Sequence, residues 1–307
     1  MIGIAMTTYN GERFLREQID SILNQTYTDF ELIVCDDGSS DSTVDILNEY
    51  AQKDSRVHIF QNEKNLGVIK NFEKAIRICL KRGAEYIALS DQDDIWIDTY
   101  LEILINIHIN NPDIFISYGS RYPFSDVIPN TQYTSENLDF HFSNIQRLDI
   151  ALIRAGIFIG ATMLIKKTFF DLALPINEEF GMHDIWFVTL SEALNKTKGT
   201  NRIITFYRRH NQNVTNAKSL KEKLFLFFKK KSLMNKYFLA SAVLERVPNT
   251  LLNPNIIKEL HVIKRYYKYK RFFLYRISHL RFFLKRYKIY TYNIKPFYAF
   301  IKFLFWG

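Results

Sequence analysis

Short apolar runs and helix-spaced apolar positions alternate along the first ninety residues. Ile2 to Met6 is a strand-like run that ends at the turn sequence Thr7-Thr8-Tyr9-Asn10-Gly11. Phe14, Ile19, Ile22 and Leu23 then recur at helical spacing. Phe30 to Cys35 is a second buried strand, stopped by Asp36-Asp37-Gly38-Ser39-Ser40. Asp41-Ser42-Thr43 supplies a cap for a helix whose inner side carries Val44, Ile46, Leu47 and Tyr50. A third strand over Val57 to Phe60, a helix over Gly67 to Leu80 and a fourth strand over Tyr86 to Leu89 follow. The last of these ends at Ser90-Asp91-Gln92-Asp93-Asp94. Strands alternating with helices in this way predict an α/β fold with a mainly parallel central sheet covered on both faces. Each polar cluster falls just after the carboxyl end of a strand, the edge at which open α/β sheets bind ligands. One crevice is therefore predicted, lined by Thr7 to Tyr9, Asp36-Asp37 and Asp91 to Asp93.

Beyond this the pattern is less regular. Ile114 to Tyr118 and Ala161 to Ile165 read as strands, Lys166 to Leu172 as a short helix, Asp184 to Leu194 as a longer helix and Arg202 to Arg208 as a strand. From Ser219 onward the pattern is helical and dense in Phe, Tyr, Lys and Arg. Charge divides the chain at the same place. Residues 217–307 hold 21 Lys and Arg against 3 Asp and Glu, so the net charge of +9 conceals an acidic body and a strongly basic end. The organisation predicted is a catalytic-type domain over 1–217 and a basic aromatic helical region over 218–307. Cys35 and Cys79 lie in apolar stretches without metal spacing, which points to a reducing cytosol. Met1 leads straight into the first strand, so no secretory signal is predicted.

Asp91-Gln92-Asp93 offers two carboxylates, one residue apart, that can hold a divalent cation through hard oxygen ligands. Such a cation neutralises charge on a diphosphate leaving group. An isolated D-x-D is more often a solvated turn; its position at the ligand edge of the sheet is what favours the metal. Asp36-Asp37 can accept a base N–H, or can serve turn and cap chemistry. Thr7 to Asn10 offers hydroxyls and a ring to pack on a nucleobase, against the alternative of an ordinary turn. No G-x-G-x-x-G follows the first strand, which disfavours a dinucleotide enzyme. The five histidines at 58, 108, 141, 261 and 279 form no ligand spacing, and Trp96 and Trp186 read as packing or as walls of an acceptor site.

Taken in order, Thr7 to Gly11, Ser21 to Tyr27, Phe30 to Asp41, Asn65-Leu66-Gly67 and Ser90 to Trp96 resemble the family 2 glycosyltransferases with the GT-A fold. Gly160 to Met163, His183 to Trp186 and Tyr207 to Val214 are similar to the rhamnosyltransferase-like branch that builds bacterial surface polysaccharides. The resemblance spans about residues 1 to 217. It implies inverting transfer of a sugar from a nucleoside-diphosphate donor, TDP-rhamnose or a UDP-sugar, to a lipid-linked glycan of an O-antigen, capsule or similar polymer, with Mg²⁺ or Mn²⁺. It also implies that Thr7, Tyr9 and Asp37 hold the nucleoside, with Lys70 in a stretch placed to touch the nucleotide. Asp91 and Asp93 match the metal motif, and Asp184 matches the catalytic base. Arg208 and His210 match the motif that closes over the diphosphate, with His210 a phosphate or metal ligand. Read without the resemblance, His183-Asp184 is a helix cap.

The basic end carries Lys229 to Lys231, Lys264 to Phe273 and Arg281 to Lys288, all mixing cations with rings. Rings and cations in this mixture lie in an anionic headgroup layer. Phe297 to Trp306 is too short to span a bilayer and is interrupted by Lys302. The reading is a cytoplasmic protein held peripherally on the inner membrane face. Nucleic-acid binding is set aside because no nucleic-acid fold signature accompanies the charge. A membrane adaptor on a non-catalytic transferase fold is the alternative, and it requires a missing base or metal motif.

Overall fold

The computed structural model describes residues 1–125, 160–178, 182–210, 241, 243–258 and 260–261. The described residues through 210 belong to one compact unit and those from 241 to a second. In the first unit, β1 (Ile2–Thr8), β2 (Phe30–Asp36), β3 (Val57–Gln61) and β4 (Tyr86–Ser90) are the predicted strands. They are linked by α1 (Leu15–Leu23), α2 (Thr43–Lys53) and α3 (Val68–Lys81). β1 lies between β2 and β4, parallel to both, with Thr8 opposite Asp36 and Met6 opposite Ser90. That register brings the Thr-Thr, Asp-Asp and Asp-x-Asp sequences to one edge of the sheet, as the pattern predicts.

The sheet then changes character. After the two-residue β5 (Ile95–Trp96) and α4 (Tyr100–Asn110) come β6 (Ile116–Phe124) and β7 (Met163–Lys166). The short α5 (Phe170–Ala173), α6 (His183–Ala193) and β8 (Thr197–Arg208) complete the unit. Strand order is β3-β2-β1-β4-β7-β6-β8-β5. β7 is antiparallel to β4 and β6, β6 is parallel to β8, and β5 is antiparallel to β8. The core gathers Ile2, Ile4, Met6, Leu32, Val34 and Ala88 from the strands with Leu15, Ile19, Ile22, Ile46 and Leu47 from α1 and α2. Burying each Leu or Ile fully contributes about 1.5–3 kcal/mol.

Several elements depart from the pattern. β5 and α4 are not predicted. In α4 the sequence YLEILINIHIN spreads Ile and Leu around most of the helix, so no single 3.6-residue stripe stands out. β8 begins at Thr197, five residues before the predicted strand, because Thr197, Lys198 and Gly199 pair with Ile116, Ser117 and Tyr118 despite their polarity. The predicted strand from Ala161 opens instead as a 3₁₀ turn over Gly160–Thr162. Trp96 and Trp186 are buried core residues, and the Trp186 Nε1–H donates to Ala173 O at 2.7 Å. The acceptor-wall reading of these two rings is therefore corrected: neither side chain reaches the surface.

In the second unit, residues 243–246 and 254–258 are helical, and Val243, Val247, Leu252 and Leu260 are buried. The basic-aromatic segments at 229–231, 264–273, 281–288 and 297–306 lie outside the described residues. Among the described residues no helix is long and apolar enough to cross a membrane.

Candidate active site

The first two loops of the carboxyl edge are tied to each other by reciprocal hydrogen bonds. Asn10, at φ +49°, accepts from Ser40 N with Oδ1 at 2.8 Å and donates its own N–H to Ser39 Oγ at 2.9 Å. Glu12 Oε2 accepts from Ser42 N at 2.9 Å, so the start of α2 is capped by a side chain from the first loop. Ser42 itself makes no side-chain cap bond; Asp41 accepts from Thr43 N and Glu12 N instead. Asp36 accepts from Thr8 Oγ1, Gly38 N and Ser39 N at 2.9–3.1 Å. Asp37 Oδ1 accepts from Asn62 Nδ2 and Leu66 N, and Oδ2 from Gly67 N, at 2.7–2.9 Å. A carboxylate offers about four acceptor positions, so Oδ2 retains capacity toward a base N–H. Thr7 is buried at the strand end and the Tyr9 ring is 51% exposed beside it. Lys70 is more than half exposed and pairs with Glu178 at 3.2 Å.

The D-x-D loop is gripped from both sides. Gln92 Oε1 accepts from Tyr9 N at 2.8 Å and its Nε2 donates to Tyr9 O at 3.1 Å. A Cβ on Gly11 would lie 2.3 Å from Gln92 Oε1, so a larger residue in this turn displaces the Gln92 amide from Tyr9. On the other side, Asp93 Oδ2 meets His210 Nε2 at 2.8 Å, and Arg208 donates from its backbone N to Asp94 Oδ1 and from Nε to Asp93 O at 3.0–3.1 Å. The Arg208 guanidinium lies 4.6 Å from both the Phe14 and Phe124 rings and pairs with Glu17. Arg208 thus braces this loop from a buried position. Burial, then the Asp93 and Asp184 carboxylates, push Asp91 up to about 7. Burial, then Asp91 and Asp93 in the same loop, push Asp94 well above its ordinary range.

Asp184 is the second residue of α6 and only 8% exposed. Burial pushes it up to about 6, against backbone hydrogen bonds from Ile185 and Gly160 and the charge of Arg121, which favour the anion. The cap reading is corrected in detail. The N-cap is Met182, which makes no side-chain bond, and Asp184 lies inside the first turn with Ile185 N on its Oδ1 at 2.7 Å. Its neighbour His183 is buried against the Phe72 ring at 4.0 Å, and among the described residues both of its ring nitrogens lack a hydrogen-bond partner. A Cβ on Gly160 would lie 2.7 Å from His183 Nε2, so the two polar motifs of the second half meet through a glycine.

Thr7, Tyr9, Asp37, Asp91, Asp93, Asp184 and His210 therefore lie at the carboxyl edge of one sheet or on the α6 turn that faces it, with Asp184 close enough to Asp91 to raise its pKa. Among the described residues no three His, Cys, Asp or Glu side chains converge to enclose a cation unaided. The donor set of two carboxylates and one imidazole, already joined at Asp93–His210, nonetheless suits Mg²⁺ or Mn²⁺. Such ions commonly take one or two protein carboxylates and complete their shell with phosphate oxygens and water. Gln92, Glu12, Arg121 and Gly160 were not singled out for a role in the sequence. Gln92 is visible as the middle letter of D-x-D and Gly160 as the first residue of the Gly160 to Met163 motif; Glu12 and Arg121 act through partners far along the chain and carry no local signal.

Comparison with known proteins gives a consistent picture. Residues 3–172 match the model of glycosyl transferase family 2. The UDP-Glc:alpha-D-GlcNAc-diphosphoundecaprenol beta-1,3-glucosyltransferase WfaP of Escherichia coli is 30% identical over 72% of this chain and 82% of its own. WfgD of the same organism, named with the same activity, is 38% identical over 39% of this chain, and the match spans 45% of WfgD. Among solved structures, Staphylococcus aureus TarS 1-349 in complex with UDP-GlcNAc aligns with a TM-score of 0.59 and 17% identity over 99% of this chain and 81% of that one. The Pyrobaculum calidifontis mannosyltransferase PcManGT with GDP-Man and Mn²⁺ gives 0.55 and 14% over 87% and 69%. These structures share the fold, the GT-A arrangement expected from the sequence.

Proposed function

The chain belongs to glycosyl transferase family 2, and from that premise we propose that it transfers a sugar, with inversion, from a nucleoside-diphosphate donor to a hydroxyl of a lipid-linked glycan. The observation that carries this reading is the nearness of a buried carboxylate, Asp184, to the D-x-D carboxylates across the carboxyl edge of the sheet. In this reading Thr7, Asp37 and the exposed Tyr9 ring hold the nucleoside, and Lys70 reaches the nucleotide when it leaves Glu178. The diphosphate lies at Asp91, Asp93 and His210, and Arg208 contributes by holding their loop. Bound there, Mg²⁺ or Mn²⁺ supplies charge neutralisation for the departing diphosphate. Asp184 takes the proton of the acceptor hydroxyl as its oxygen bonds to the anomeric carbon, while the bond from that carbon to the phosphate oxygen breaks. A base raised to about 6 is ionised at neutral pH and is a stronger proton acceptor than an ordinary aspartate.

The names of WfaP and WfgD support UDP-glucose and a polyprenyl-diphosphate-linked GlcNAc as the first donor and acceptor to test. TDP-rhamnose is the competing donor from the motif resemblance. A polyprenyl acceptor also suits the proposed role of the basic region, 218–307, on an anionic cytoplasmic membrane face in surface polysaccharide synthesis. The test is a thermal-shift panel of UDP-, TDP- and GDP-sugars with and without Mn²⁺, followed by product analysis with the donor that binds. A ligand of the native state raises the melting temperature. A metal-dependent shift with one base and a product of inverted configuration are the expected results. No shift with any donor in folded protein would sink the reading.

A further inference from the structure

A chain of side-chain hydrogen bonds runs from α3 to Asp37. Asn62 directly follows β3, and its N–H donates to Asp36 O at 2.9 Å, so its backbone is tied to the end of β2. Its side chain serves three partners. Oδ1 accepts from Lys74 Nζ at 2.6 Å, and Nδ2 donates to Asp37 Oδ1 at 2.8 Å and to Asn71 Oδ1 at 2.9 Å. Asn71 in turn donates from Nδ2 to Cys35 O, on β2, at 2.8 Å. Asn71 and Lys74 are three residues apart on α3 and so are neighbours on one face of it. Asn71 is buried, while Asn62 and Lys74 are half-buried.

One sense of the Asn62 amide satisfies all three partners. Turned over, it would set its NH₂ group against the Lys74 ammonium and its oxygen against the Asp37 carboxylate and the Asn71 oxygen. An ammonium only donates and a carboxylate only accepts, so both ends of the amide are dictated. Lys74 also polarises the amide and strengthens the bond it donates to Asp37. With Leu66 N on the same oxygen at 2.7 Å, Asp37 Oδ1 has two donors, whereas among the described residues Oδ2 accepts from Gly67 N alone. The two oxygens of Asp37 are thereby made unequal, one filled and one with a lone pair left.

We propose that Lys74 and Asn62 are positioning residues for base selection: they occupy Asp37 Oδ1 and so reserve Oδ2 for a ring N–H of the donor's base. The proposal rests on the reading that Asp37 holds the nucleoside. A reserved carboxylate oxygen accepts from uracil, thymine or guanine, each of which carries a ring N–H beside a carbonyl. It repels cytosine, whose corresponding ring nitrogen is itself an acceptor.

The experiment measures the affinity of UDP, N3-methyl-UDP and CDP, each with Mn²⁺, by calorimetry. The full chain is compared with its Lys74→Met, Lys74→Arg, Asn62→Ala and Asp37→Asn variants. The wild type should favour UDP over both analogues by about 10–100-fold, the equivalent of one hydrogen bond to a charged group. Lys74→Met and Asn62→Ala should reduce that preference about 3–10-fold by weakening UDP and leaving CDP unchanged, and Lys74→Arg should restore most of it. A wild type that binds the three alike or not at all, or an Asp37→Asn variant that keeps the full preference, would overturn the Asp37 reading and the proposal with it. A preference reduced in Asp37→Asn but intact in Lys74→Met and Asn62→Ala would overturn the proposal alone. Equal weakening of UDP and CDP would also overturn it, by showing that the pair supports the loop without selecting the base. Lys74 is half-buried on a helix and Met keeps its stem, so that variant reports on the pair should Asn62→Ala fail to fold.

Discussion

Two groups of carboxylates occupy the same edge of the same sheet and are treated in opposite ways. After β2, Asp36, Asp37 and Asp41 each accept two or more hydrogen bonds from neighbouring loops. Burial alone would raise Asp41, but bonds from Thr43 and the Glu12 backbone outweigh it and hold the group below its ordinary range. After β4 and on α6, Asp94 and Asp184 are buried and Asp91 is half-buried, and all three are raised, desolvation being the first cause in each even though Asp184 accepts from the Ile185 and Gly160 N–H groups. Among the described residues Asp94 Oδ2 has no hydrogen-bond partner. Saturated carboxylates hold loops in place. Crowded, desolvated ones are suited to receive a proton or a cation, and a stability cost is the accompanying condition.

The sharpest way to break this contrast is Asp184→Asn. Transfer is expected to fall about 10²–10⁴-fold, the usual contribution of a general base, while donor-induced thermal shift persists. Equal loss of donor binding would move Asp184 from the base to the donor site. In the wild type, kcat/KM should rise with pH through about 6 and level above it, because only ionised Asp184 accepts a proton. A limb near 4 would mean that burial does not tune this group.

The saturated side is probed at its glycine. Gly11→Ala places a Cβ against Gln92 and should destabilise the fold by about 1–3 kcal/mol, as overpacking does. Adding Gln92→Ala should restore part of that loss in chemical melts, because the clash partner is removed. Additive losses would show that Gln92 is not what confines the turn. The smallest effect is expected at Lys70→Ala, whose exposed pair with Glu178 contributes at most about 1 kcal/mol to stability. A rise in donor KM without a change in melting temperature would then assign Lys70 to the nucleotide.

The same division governs what the sequence reveals. The saturated side was legible, because Thr7 to Gly11 and Asp36 to Ser40 are contiguous and each ends a strand with an evident period. The placement of Asp91 and Asp93 followed from the same rule. Asp184 emerged only through family resemblance, since as residues alone His183-Asp184 reads as a cap. The contact of Arg208 with Glu17, 191 positions away, has no local signal either. Gln92 reaches Tyr9 across 83 positions, and no local pattern encodes that distance. The α4 helix was missed for a different reason, its apolar residues being spread too widely around the helix to show a face.

The most direct test of the contrast is a paired melting experiment on Asp184→Asn and Asp37→Asn at pH 8 and pH 4.5. Folded Asp184 titrates at about 6, above the ordinary carboxylate value, so its favourable contribution is complete below about 4 and lost as pH rises through 6. At pH 8 the ionised group therefore costs up to about 3 kcal/mol, and Asp184→Asn should raise the melting temperature there and lose most of that advantage at pH 4.5. Asp37→Asn turns an amide toward the N–H groups of Leu66 and Gly67 and should lower the melting temperature at pH 8, by the equivalent of about 1–3 kcal/mol. Opposite shifts at pH 8 are the expected result; a fall in both variants would contradict the division between carboxylates that hold the fold and carboxylates that perform its chemistry.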